Sequence, residues 1–224
     1  MIKKILFGSK DKMKSAYLWN TCAAMLNAFQ TVFILMLISR IDPVIDAGVF
    51  TIAFAIGNLM MAIGKYGIRQ FQVSDFEEKY SFKEYTVARI ITSIIMIAAS
   101  FVYVGVNLAS GLYDSSKSIV IILICLAKVI DAVEDVIHGM FQQYLRLDVA
   151  GKILSIRMCT YIFVYLVCYY FSKNLILTSA VALLVSFIQF VILNYTAIRG
   201  FEIKKKTFEI KNVKNIFVEC FPLF

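Results

Sequence analysis

Six stretches of this chain, at about 16–38, 45–64, 86–108, 118–143, 153–171 and 175–197, are dominated by apolar residues over roughly the same length. A helix rises about 1.5 Å per residue, so about 20 residues cross a hydrocarbon layer of about 30 Å. The connectors between the stretches are short and polar. Arg40-Ile41-Asp42-Pro43 interrupts the first pair, because proline cannot continue a helix. Asn107 to Lys117, with Gly111 and Asp114, forms a second connector, and Ser172-Lys173-Asn174 a tight turn. No two-residue alternation persists anywhere, and lipid admits only helices or closed barrels. The sequence therefore predicts an all-α polytopic membrane bundle. Residues 1–198 form six transmembrane helices, 199–215 a basic cytoplasmic linker, and 216–224 the start of a seventh helix that is cut off.

Composition excludes the main alternatives. Hydrophobic residues make up 60% of the chain and charged residues only 17%, against about a quarter charged in soluble domains. One water-facing core cannot hide that much apolar surface. The net charge of +8 is a matter of topology rather than of nucleic-acid binding, since no basic stretch is interleaved with exposed aromatics. Lys3, Lys4, Lys10, Lys12 and Lys14 precede the first span, which is too long for a signal-peptide core and lacks a small-residue cleavage site. Lys65, Arg69, Lys79, Lys83, Arg89, Arg146, Lys152, Arg157 and the lysines of the tail fall on the same side. Arg40, Lys117 and Lys173 alone fall on the other. The positive-inside rule then puts both termini in the cytoplasm. Cys22, Cys125, Cys159, Cys168 and Cys220 show neither disulfide nor zinc spacing. No phosphate-binding loop, nucleophile elbow or zinc-protease motif is present, and the Asp131/Asp135 pair lacks the second aspartate-rich motif that pyrophosphate chemistry on Mg²⁺ needs. No enzymatic role, cofactor or metal is expected.

The fourth span departs from the others. It contains Lys128, Asp131, Glu134, Asp135 and His138, with Gln142 beyond. Steps of three and four place Lys128, Asp131, Asp135, His138 and Gln142 on one helical stripe. A charge at mid-membrane costs at least ~2.5 kcal/mol, so this stripe must face the bundle interior, partner groups or water. Spacing predicts that Lys128 pairs with Asp131 and Asp135 with His138. Two readings stay open: a structural ladder of salt bridges, or the lining of a hydrated transport cavity. His138 is the sole histidine and has no companion for a metal. Elsewhere Asn20, Asn27, Gln30 and Thr31 mark the first span and Ser186, Gln189 and Asn194 the sixth, polar groups that bond across helices. Ala53 and Gly57 form a small-xxx-small pair that permits close packing.

Two connectors carry a family likeness. Lys65-Tyr66-Gly67-Ile68-Arg69-Gln70-Phe71-Gln72-Val73-Ser74-Asp75, followed by Tyr80-Ser81-Phe82 and Arg89, resembles the equivalent loop of bacterial polysaccharide flippases. Phe141-Gln142-Gln143-Tyr144-Leu145-Arg146-Leu147-Asp148, running into Arg157, is similar to their fourth-to-fifth helix connection. These are the Wzx-type O-antigen and capsule exporters of the MATE/MOP superfamily. The resemblance implies the N-terminal half of a transporter built from two six-helix bundles in the bacterial cell membrane. Its substrate would be an undecaprenyl-pyrophosphate-linked oligosaccharide, and its partners lipid and a C-terminal half or second copy. Arg69, Arg89, Lys128 and Arg157 would meet the anionic head group. Asp131, Glu134, Asp135 and His138 would serve ion or proton coupling. A six-span homodimeric exporter of drugs or metabolites, and a non-transporting scaffold in polysaccharide assembly, are the alternatives.

Overall fold

The computed structural model describes residues 2–42, 44–201 and 207–221. Nine helices occur among them: α1 (Ile2–Phe7), α2 (Lys12–Ile41), α3 (Ile45–Lys65), α4 (Ile68–Ser74), α5 (Phe82–Ala109), α6 (Ser115–Gln143), α7 (Leu147–Ser172), α8 (Leu175–Ile198) and α9 (Ile210–Cys220). No strand is present among the described residues. The protein is an all-α helix bundle. Of its helices, α2, α3, α5, α7 and α8 are long and apolar enough to cross a membrane. With 29 residues α6 matches them in length, but its charges keep it out of that class.

Capping residues set the helix starts, and at α2, α5 and α6 these lie outward of the apolar limits. Asp11 accepts from the Lys14 amide, Asp114 from Lys117 and Asn174 from Leu177, each at 3.0 Å. At α5, Ser81 and Glu84 form a capping box, satisfying two donors that the first turn would leave bare. Two helices end on left-handed residues, Tyr66 after α3 and Lys173 after α7. Pro43 lies outside the described residues, and α2 ends two residues before it.

At the bundle's centre α6 touches α3, α4, α5, α7 and α8, while α2 packs mainly on α7. Close approach is achieved through small residues. A Cβ on Gly57 would lie 3.2 Å from the Lys128 side chain, so the α6 lysine stem runs over α3 at that point. At the α2–α7 crossing the fit is tighter: a Cβ on Gly151 would stand 2.8 Å from the backbone of Trp19 and Asn20. Ser155 donates to the Trp19 carbonyl at 3.2 Å and Asn20 to the Leu147 carbonyl at 3.0 Å, across the same contact.

Buried apolar residues fall into two clusters. One, with Phe50, Ile121, Ile124 and Tyr165, fills the end carrying the α2–α3, α5–α6 and α7–α8 connections, called here the far end. The other, with Tyr85, Phe141, Val149 and Ile216, fills the opposite, basic end. The charged part of α6 lies where the first gives way to the second.

The basic end is closed by α9, whose Val213, Ile216 and Cys220 are buried against the rest. This helix runs through the predicted border between linker and seventh span at residues 215 and 216. Polar anchors in the preceding connection explain why. One oxygen of Glu84 accepts from the Ser81 amide at 2.6 Å, and the other accepts from the Glu209 amide and Asn212 Nδ2 at 3.0 and 2.8 Å. Lys79 and the Tyr80 hydroxyl both donate to Glu219, at 2.6 and 2.9 Å. Residues 202–206 of the linker and 222–224 of the final stretch lie outside the described residues.

Candidate functional site

The eight candidate side chains come together along α6. Arg157 on α7 is its principal partner: its guanidinium reaches Asp131 at 2.6 Å and Glu134 at 2.8 Å, and donates to Ser186 of α8 at 3.2 Å. Asn194, also on α8, donates to the second Glu134 oxygen at 2.8 Å. Glu134 is thus held by two helices at once. Lys128 pairs with Asp131 at 3.4 Å, as the spacing predicted, and its ammonium lies 4.3 Å from the centre of the Phe54 ring. Charges held this tightly offset the loss of water that burial imposes on them.

One turn nearer the basic end the pairing changes helix. Asp135 receives Arg89 of α5 at 3.0 Å and Arg69 of α4 at 3.2 Å. Arg89 is fully buried and also donates to the Gly64 carbonyl at 2.6 Å, which Thr92 shares at 2.7 Å. Arg69 keeps 29% of its side chain exposed and makes a second bond to Gln142 at 3.1 Å. The expected Asp135–His138 pair is absent. Two permanent cations claim the Asp135 carboxylate, and His138 instead lies 3.9 Å from Glu134, too long for a hydrogen bond.

Open space is uneven. Beside Gln30, Lys128, Asp131 and Arg157 there is a small void of roughly 10 Å³, about the room one water needs. At the basic end a cleft of about 520 Å³ opens, lined by Lys65, Arg69, Gln70, Val73, Asp135 and Gln142. Lys65, Arg69 and Arg89 bring three positive charges to this region against the single Asp135 carboxylate. That surplus suits an anion.

Of the cationic candidates, only Arg69 lines this cleft, whereas Lys128, Arg89 and Arg157 are enclosed. Sequence reasoning missed Lys65, whose signal was its position one turn before Arg69 on the same connector. It also assigned Glu134 to no stripe, although that residue joins α7 and α8. Among the described residues no group of three or more His, Cys, Asp or Glu is placed to hold a metal ion. Comparison with known proteins gives no matching family model, no matching curated sequence and no matching solved structure.

Proposed function

We propose that this chain is part of a membrane transporter that moves an anionic, lipid-linked oligosaccharide between the leaflets of a bacterial cell membrane, with both termini in the cytoplasm. The reading rests on one observation above the others: the positively charged cleft at Lys65 and Arg69 is walled by Asp135, a charge of α6 that also holds the buried Arg89. A pyrophosphate entering that cleft would compete with Asp135 for Arg69. Asp135, left with Arg89 alone, would then be available to an ion or proton, with Asp131, Glu134 and His138 behind it on α6 as further coupling groups. A second bundle, from the same reading frame or from another copy, would complete the passage beside the lightly covered α2.

The test is translocation in vesicles. The reconstituted protein should move a fluorescent polyprenyl-pyrophosphate oligosaccharide to the outer leaflet, where a membrane-impermeant quencher reaches it. Arg69→Gln should slow this at least ten-fold. Unchanged rates in that variant would refute the cleft's role.

A scaffold reading has one specific observation in its favour. Arg89 and Arg157 are completely enclosed and paired, as a purely structural network would be. No movement of lipid in the same vesicles, with intact assembly of a polysaccharide complex, would favour it.

A further inference from the structure

An apolar groove of about 530 Å³ runs between α2 and α7 at the far end, opening to the outside of the bundle. Phe33, Met36, Leu37 and Arg40 form one wall, and their spacing of three, four and seven residues puts them on one helix face. A row on α7 from Phe163 to Tyr170 forms the other. Of the polar residues of α2, Asn27 and Thr31 lie about 120–160° around the helix from Phe33, and Gln30, about 60° away, is buried beside Lys128 and Arg157. The groove therefore belongs to the flank turned towards lipid, away from the polar stripe.

Among the described residues, Arg40 is the only charged one lining this groove. It is exposed and makes no ion pair or hydrogen bond among the described residues. A cation in the last turn is favoured by the helix dipole, but that partial charge leaves most of its own unneutralised. Beneath it lie about two turns of uninterrupted apolar wall. A single positive charge over such a wall matches an amphiphile with one negative charge above its chains.

We infer that this groove binds an anionic glycerophospholipid, with the phosphodiester on Arg40 and an acyl chain between α2 and α7. The charge count selects this occupant over a polyprenyl pyrophosphate, whose additional negative charge would find no second cation in the groove. The inference needs only that α2 and α7 face lipid, and does not depend on the transport reading.

Native mass spectrometry provides the test. The whole chain is released from mixed micelles holding equal amounts of phosphatidylglycerol, phosphatidylethanolamine and a polyprenyl pyrophosphate. The monomer should retain phosphatidylglycerol over phosphatidylethanolamine by about five-fold, the worth of one basic residue at a lipid surface. Arg40→Gln should bring that ratio close to one without lowering thermal stability, because the side chain is exposed. Met36→Trp, which fills the groove, should lower the retention of both phospholipids, and Arg199→Gln at the opposite end should change nothing. An undiminished ratio in Arg40→Gln would overturn the inference. So would preferential retention of the polyprenyl pyrophosphate, or a lipid-free dimer in which a second copy covers the groove.

Discussion

Arg157 of α7 and Glu134 of α6 meet at 2.8 Å with both side chains almost wholly enclosed. Removing one partner of such a pair strands the other in a medium that cannot solvate it, which costs about 3–5 kcal/mol. Arg157→Met should therefore lower the unfolding temperature in detergent sharply. Adding Glu134→Gln to that variant should recover part of the loss, since Asp131 keeps Lys128 as its partner and no unpaired carboxylate is left at position 134.

The two arginines on Asp135 should respond differently. Arg89 is fully buried, so Arg89→Gln should cost about 3 kcal/mol. Arg69 is partly exposed, and Arg69→Gln should cost less than about 1 kcal/mol. Thermal unfolding of the two variants side by side checks the order.

The α2–α7 crossing depends on Gly151. Gly151→Ala would press a methyl group onto backbone atoms that cannot yield, and should destabilise the bundle by about 1–3 kcal/mol. Gly105 has nothing within 4 Å of a built Cβ. Gly105→Ala should be neutral or stabilising by up to about 1 kcal/mol, the usual helix gain of alanine over glycine. Unfolding temperatures in one detergent separate the two.

Glu84 anchors the start of α9, and Cys220 is buried at the end of the same helix. Glu84→Ala removes two bonds to the start of α9, each worth about 1 kcal/mol. Cys220 should then react with a maleimide about ten-fold faster at fixed pH, while Lys211→Ala on the exposed side leaves the rate unchanged.

The Lys79–Glu219 contact sets a pH window. Hydrogen bonding to Lys79 holds the Glu219 carboxyl below its ordinary value, and the same bond raises the Lys79 ammonium above its own. A depressed carboxyl contributes above its unfolded pKa of about 4.3 and is lost as pH falls through its lower folded value. A raised ammonium contributes fully below about 10.4 and is lost as pH rises through its higher folded value. Docking of α9 should therefore be constant from about pH 5 to 9 and loosen in stronger acid. The mobility of a spin label placed at Lys214→Cys reads this directly.

Much of the architecture was legible because hydrocarbon length and helix rise are fixed quantities. The second stretch was expected at 45–64 and its helix is Ile45–Lys65; the sixth was expected at 175–197 and its helix is Leu175–Ile198. Where the reading fell short, polar residues near the helix ends were the reason. The fifth helix starts at Leu147 rather than at 153, because Asp148 and Lys152 are polar yet buried at its first turns. The short α4 was hidden in a polar connector too brief to show a period. At the site, the i, i+3 spacing found the Lys128–Asp131 pair because both residues share one helix. Arg69, Arg89 and Arg157 could be named from sequence, but their carboxylate partners could not. Which carboxylate each one takes is decided by packing between helices, and Gly151 shows nothing of its tight crossing until α2 lies against it.

The partners of α6 also bear on how the chain enters a bilayer. Lys128, Asp131, Glu134 and Asp135 make this segment a poor candidate for partitioning alone, at ~2.5 kcal/mol or more per charge near its middle. Arg89 is synthesised before it, but Arg157 and Asn194 come later in the chain. For α6 to enter a bilayer it would have to wait for, or be drawn in by, the helices that follow, because its acidic residues are bonded to α4, α5, α7 and α8.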